Sequence, residues 1–333
     1  MLRHQFESER AALARLQGRL SVPVPQIVSE GERSGWPYLI MTRMNGVSGK
    51  DAWALLPEDQ RESVLTQVGE VIAEVQRVPV GDLSRLQPQW EQFIPKQIEG
   101  CRARHERLGL PKKYLDGLDH FLRDAAMLIP VNAAPVILTG EYNPENIFLQ
   151  EHSRRWRLAA LIDFGDVMTG WGEYDLLGPS TFAAAGMPRR VQSLLRGFEY
   201  PKASADPALR RRLMTLLLLI GSAIWQGRYA LRAGNRRPPI CMNWNDCSGV
   251  FDRACRGHRL RTSVVPSAAD QPARLLCFER EMWHFQRMNA AETNRLIAAI
   301  QALVRERDDL RGLAICGSWA RGNPRSDSDL DLY

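Results

Sequence analysis

Glu141, Asn146 and Asp163 stand at a spacing that could do chemistry, within the run Val136 to Asp166, VILTGEYNPENIFLQEHSRRWRLAALIDFGD. Val136–Leu138, Ile147–Leu149 and Leu158–Ile162 are short apolar stretches with β-branched residues, separated by a polar loop and a polar turn, and they read as three buried strands. Glu141 and Asn146 then lie on the loop between the first two strands, and Asp163 at the end of the third. The strand ends can bring the oxygen-bearing side chains together. Phosphoryl transfer asks a protein for such a set: a carboxylate on the incoming hydroxyl, and an amide with a second carboxylate on Mg²⁺ between phosphates. Mg²⁺ keeps several waters, so one amide and one carboxylate suffice when ATP supplies the remaining oxygens.

These residues resemble the aminoglycoside phosphotransferase family of the protein-kinase-like superfamily. Its catalytic loop H-G-D-x-x-x-x-N is matched by Thr139-Gly140-Glu141-Tyr142-Asn143-Pro144-Glu145-Asn146, and its metal loop by Ile162-Asp163-Phe164-Gly165-Asp166. Its following Tyr-Asp pair is matched by Tyr174-Asp175. Upstream, Val22-Pro23-Val24-Pro25 and Trp36-Pro37-Tyr38-Leu39-Ile40-Met41 look like the strands that lead to the adenine-binding hinge, and the resemblance covers residues 5 to 235. It implies an ATP- and Mg²⁺-dependent transfer to a hydroxyl of a small molecule. Glu141 would orient or deprotonate that hydroxyl, Asn146 and Asp163 would hold Mg²⁺, Asp175 would brace the loop, and Glu9, Met41 and Arg43 would belong to the nucleotide site. The chain departs from the family in carrying Glu141 in place of Asp and Thr139 in place of His. Glu is longer by one C–C bond, about 1.5 Å, so the loop must be set back for the carboxylate to serve.

The ends depart further. Phe6, Leu13 and Leu16 have helical spacing, and the segment Phe6 to Leu16 looks like the kinase helix whose glutamate, here Glu9, pairs with a phosphate-binding lysine. The phosphate-covering hairpin and that lysine have no counterpart ahead of it, so Glu9 reads equally as a solvated helix carboxylate. At the other end Leu313–Cys316 opens into Gly317-Ser318-Trp319-Ala320-Arg321-Gly322 and then Asp327-Ser328-Asp329-Leu330-Asp331. This resembles the start of a nucleotidyltransferase of the DNA polymerase beta superfamily. Gly317 and Ser318 would open a helix N-terminus towards a triphosphate, and Asp329 and Asp331 would share a strand face for two Mg²⁺, with the third carboxylate of that family lying beyond Tyr333.

The fold expected is α+β: a protein-kinase-like domain with an incomplete small lobe over 1–50 and a mainly helical large lobe over 51–260, then a linker and a truncated nucleotidyltransferase-like α/β piece over 261–333. Helices are expected from Pro57, with Val64, Leu65, Val68, Val71, Ile72 and Val75 on one face, and over 89–106, 112–128, 187–196, 207–232 and 290–307. Pro179 to Gly186 reads as a turn. Two other readings accompany the kinase: a non-catalytic kinase-like remnant or binding module, and a nucleotidyltransferase fragment.

With 333 residues, 44% hydrophobic and 25% charged, the composition is that of a globular chain large enough for a sizeable core. The formal charge of +6 owes much to arginines between Arg228 and Arg261. These carry no interleaved aromatics and read as a solvated surface or linker, so a nucleic acid is not the expected partner. Known kinases of polycationic aminoglycosides present an acidic cleft, which a basic chain argues against; Glu145, Asp166 and Glu173 are the acidic groups expected near it. The six cysteines are scattered and no secretory leader is evident, which points to the cytosol. Cys241, Cys247, Cys255 and His258 match no common zinc spacing. The uncharged run Leu213 to Gly227 is shorter than the ~20 residues of a membrane span.

Overall fold

Helix α1 (Arg3–Leu16) buries Ser8, Glu9, Ala12, Leu13 and Leu16, and the helix contacts β2 (Trp36–Met41) of the hairpin that this strand forms with β1 (Ile27–Arg33). In the computed structural model residues 3–33, 35–107, 112–140, 142–185, 187–201 and 206–220 are described, together with Arg295, Ala298 and Ala302. Contacts divide the chain into two units, Met1–Val250 with Tyr333 and Phe251–Leu332, and every element named here belongs to the first. Of the second, Arg295, Ala298 and Ala302 are helical, within the helix expected over 290–307.

The hairpin is antiparallel, with Gly31 opposite Tyr38. The expected strand at Val22–Pro25 is absent: Pro23 and Pro25 have no N–H to give to a ladder, and β1 starts only at Ile27. The segment is still tied to the domain, because Val22 and Val24 are buried and Leu161 N–H donates to Pro23 O at 3.2 Å. A short β3 (Val47–Ser48) runs into α2 (Gly49–Ala52), and the long α3 (Glu58–Arg77) buries Val64, Leu65, Val68, Val71, Ile72 and Val75 as its spacing requires. Helices α4 (Trp90–Arg107) and α5 (Lys112–Leu128) follow.

Next come β4 (Val136–Leu138), β5 (Ile147–His152), β6 (Arg155–Leu161) and β7 (Met168–Gly170). β5 is the centre of a three-stranded sheet, antiparallel to both β3 and β6, and β4 pairs antiparallel with β7. A 3-10 turn at Gly172–Leu176 leads to α6 (Leu177–Phe182), α7 (Pro188–Gly197) and α8 (Pro207–Ile220). Pro179, expected in a turn, stands instead in the first turn of α6, where a missing N–H costs no helical bond. The turn comes after it, at residues 183–185. Among the described residues no helix is long and apolar enough to cross a membrane.

Helices α3 and α7 cross closely. A methyl carbon added at Gly69 would stand 2.2 Å from Leu194 O, and one added at Gly197 would stand 1.9 Å from Thr66 O. The two backbones meet directly, with glycine on both sides. Arg190 of α7 locks the start of α3 through Nε and Nη2 bonds of 2.6 Å to the two carboxylate oxygens of Glu58, the bidentate geometry that makes such pairs strong. The Arg190 guanidinium beside Glu58 holds that carboxyl below its usual range.

Gly69→Ala therefore forces the helices apart. Overpacking of this kind costs about 1–3 kcal/mol, so the urea midpoint is expected to fall, while Gly178→Ala, whose added carbon meets its nearest atom at 3.5 Å, stays within a few tenths.

Candidate active site

β4 delivers the chain to Thr139 and Gly140, β5 leaves from Asn146, and β6 delivers it to Asp163, so the two loops share one end of adjacent strands. They are joined through the backbone, where Ile162 N–H donates to Asn146 O at 3.0 Å, and through side chains, where Asn146 Nδ2 donates to Asp163 Oδ2 at 3.4 Å. Asn146 is buried and Asp163 is exposed. A small pocket here is lined by Thr139, Tyr142, Asn146, Leu161, Ile162, Asp163 and Phe164.

The loop backbone is shaped by Asn143, whose Oδ1 accepts the N–H of Glu145 at 3.0 Å and of Asn146 at 3.1 Å. Asparagine followed by proline favours such a turn, and that signal was present in the sequence although only the motif positions were singled out there. From the other side Asp175 holds the loop start. Its Oδ2 accepts Thr139 N–H at 3.1 Å and its Oδ1 accepts Gly140 N–H at 2.8 Å. Asp175 is 1% exposed, and burial pushes its carboxyl up to about 7 against the bonds from Gly140, Thr139 and the Gln76 side chain. Gln76, on α3, also donates to Gly172 O at 2.8 Å. Tyr174 packs edge-on against Trp90, centroids 5.6 Å apart, and the Trp90 ring lies so close to Gly170 that an added methyl would meet it at 2.6 Å. This fixes the Gly172–Leu176 turn from which Asp175 projects.

Asp163 has φ of 68°, a left-handed conformation that costs a non-glycine residue ~1–3 kcal/mol and persists only where surroundings impose it. The adjacent contact is Glu9, whose Oε2 accepts Phe164 N–H at 2.5 Å. Of the two expectations for Glu9, the solvated carboxylate is overturned. It is 3% exposed, so it is no solvated carboxylate, and its described bond is to the metal-loop backbone, made because the buried face of α1 turns it inward. Burial first, then the charge of Asp163, push its carboxyl up to about 7, with the Phe164 N–H pulling the other way.

Met41 ends β2 half-buried and Arg43 is exposed beyond it; neither lines the pocket. Glu145 and Glu173, expected as open acidic groups, are paired. Glu145 forms an ion pair with Lys50 of α2, and Glu173 takes Arg212 of α8 through two bonds of 2.9 Å. Asp166 is exposed. Glu141 lies outside the described residues, as do Gly317, Ser318, Asp329 and Asp331, the basic tract from Arg228 to Arg261 and the four zinc candidates.

The family model described as APH, phosphotransferase enzyme family, matches residues 2–212. The chain belongs to this family. Among solved structures, this APH-family chain is similar to the GDP complex of wild-type aminoglycoside 2'-phosphotransferase-IIIa, at 20% identity over 71% of this chain and 78% of that one, with a TM-score of 0.55. It is also similar to the GDP and kanamycin complex of APH(2'')-IIIa, at 18% identity over 72% and 80% of the two chains, with a TM-score of 0.51. At these identities the likeness is one of fold, an α+β aminoglycoside-phosphotransferase-like kinase fold. The match accounts for the sequence motifs up to Asp175 and ends far ahead of the nucleotidyltransferase-like segment.

The buried carboxyls set a pH dependence. Glu9 and Asp175 keep their protons in the folded chain up to about 7, whereas in the unfolded chain they lose them near ~4. The folded state binds more protons between these values, so this contribution to stability is full below ~4 and is lost as pH rises through 7. The urea midpoint should be lower at pH 8 than at pH 5.5. Glu9→Gln keeps an acceptor for Phe164 N–H without the charge and should flatten the slope; an unchanged slope would put the titration on other groups.

Proposed function

We propose that this APH-family chain transfers the γ-phosphoryl group of ATP to a hydroxyl of a small molecule, with Mg²⁺ as the metal. The observation that carries this reading is the meeting of Asn146 and Asp163 at 3.4 Å beside a pocket, from two loops that the fold holds separately. Among the described residues no cluster of three or more His, Cys, Asp or Glu side chains forms a metal cage. An amide and a carboxylate suit a hard ion that takes its other ligands from phosphate and water. Mg²⁺ bound there would neutralise charge on the phosphates.

The chain's own groups have distinct tasks in this reading. Asn146 and Asp163 hold the metal. Glu9 keeps Phe164 N–H, and with it the turn after Asp163, in place. Asp175 anchors Thr139 and Gly140, the residues that lead into Glu141, so that the Glu141 carboxylate can orient the incoming hydroxyl. Glu141 is the carboxylate for this role on the strength of its position in the loop motif. Its extra length over Asp is accommodated if the loop start sits back against Asp175.

Removing each group tests its task. Asp163→Ala is expected to abolish the rise in melting temperature that Mg·ATP gives the wild type. Glu141→Ala is expected to keep that rise and to lose transfer of labelled phosphate to a panel of hydroxylated acceptors by about 100-fold or more. GTP is run beside ATP, because the similar structures are GDP complexes. The opposite pattern in the two variants would overturn the assignment of roles.

A further inference from the structure

We infer that Lys50 sets the acceptor class by occupying Glu145, so that the enzyme selects hydroxylated molecules without a cluster of positive charge. The inference rests on the phosphotransferase reading and concerns the acceptor side of that site. Glu145 immediately precedes Asn146 and differs from it in exposure: Asn146 is buried with its amide on Asp163, while the Glu145 side chain is 40% exposed. In-line transfer puts the acceptor across the phosphoryl group from the nucleotide. A partly exposed carboxylate on the residue before Asn146 is therefore a group that a cationic acceptor would meet.

That carboxylate is already used. Lys50 Nζ forms an ion pair with Glu145 Oε1, with the lysine side chain 51% exposed. The pairing is built into the backbone: Lys50 N–H donates to Pro144 O at 2.7 Å and to Ser48 Oγ at 3.3 Å, and Ser48 Oγ donates to the same Pro144 carbonyl at 3.4 Å. The approach depends on Gly49, since an added methyl would meet Ile147 Cγ1 at 2.7 Å and Pro144 O at 2.9 Å. Lys50 is thus carried on a segment docked against the loop. Independently, Glu173, next to the Tyr174 ring that packs near Gly140, is bound by Arg212, whose guanidinium also lies over the Trp171 ring at 5.5 Å. Of the three acidic side chains expected to attract a polyamine, Glu145 and Glu173 are neutralised by cations of the chain itself, and Asp166 is exposed.

The probes are kanamycin, a polycation, and trehalose, a neutral sugar of comparable reach, titrated calorimetrically into the full chain at low salt. Lys50→Ala frees Glu145 and should tighten kanamycin binding about two- to five-fold, the worth of one exposed ion pair, with trehalose unchanged. Lys50→Ala/Glu145→Gln should return kanamycin to the wild-type value. Arg85→Ala, the same charge change at a side chain 85% exposed, should leave it unchanged. Equal kanamycin affinity in wild type and Lys50→Ala, or no binding to either, overturns the inference. An equal gain in Arg85→Ala also overturns it, because the effect would then be net charge. Failure of the phosphotransferase reading is seen separately, as loss of any Mg·ATP response in the wild type.

Discussion

Taking the Asp175 carboxyl out of water costs several kcal/mol unless hydrogen bonds replace its hydration, and the chain replaces it with the backbone of the loop that Asp175 serves. Thr139 and Gly140 donate to its two oxygens, and Gln76 of α3 adds a side-chain bond. The same Gln76 amide holds Gly172 O, so α3 grips both the turn that presents the carboxyl and the carboxyl itself. Much of the large-lobe packing supports this contact. The α3–α7 crossing at Gly69 and Gly197 keeps α3 close to the body of the domain, and the Trp90 ring, seated on Gly170 and edge-on to Tyr174, fixes the turn from the opposite side.

The loop Ile162–Asp166 is supported from elsewhere. Asp163 takes an unfavourable backbone conformation, and the next peptide N–H is received by Glu9, from a helix at the start of the chain. A buried carboxyl with a nearby like charge is expensive to ionise, so Glu9 links the geometry of the loop to the electrostatics of its acidic residues. The family match covers residues 2–212, and so includes both α1 and the two loops.

Much of the fold was legible because it is written in local patterns. The short apolar runs Val136–Leu138, Ile147–Leu149 and Leu158–Ile162, with their β-branched residues, read as buried strands and form them, the last as far as Leu161, and the apolar face of α3 repeats at helical spacing. The loop residues were legible from motif spacing. What escaped is what depends on distant partners. Glu9 and Phe164 are 155 positions apart, and Lys50 and Glu145 are 95 apart, so nothing local distinguishes these side chains from solvated ones. Val22–Pro25 was misread because apolar residues between prolines look like a strand to a pattern, although two of four backbone donors are missing. Pro179 was misread because proline ends helices in their middle and is harmless in their first turn, a distinction that requires knowing where α6 begins.

The Glu9–Phe164 bond also gives the site an asymmetry of error tolerance. The transfer loop is secured redundantly, by two backbone bonds to one carboxyl, an Asn143 turn and a docked lysine segment. The turn after Asp163 takes a bond from α1, through Glu9 to Phe164 N–H, and Phe164 is buried in one core cluster with Ala12, Leu13 and Leu16 of the same helix. A tilt of α1 would therefore act first on the peptide after Asp163, and reach Thr139 and Gly140 only through the Asn146 contacts that join the two loops. In the proposed reading, metal binding and alignment of a hydroxyl would depend unequally on α1, the first more directly than the second.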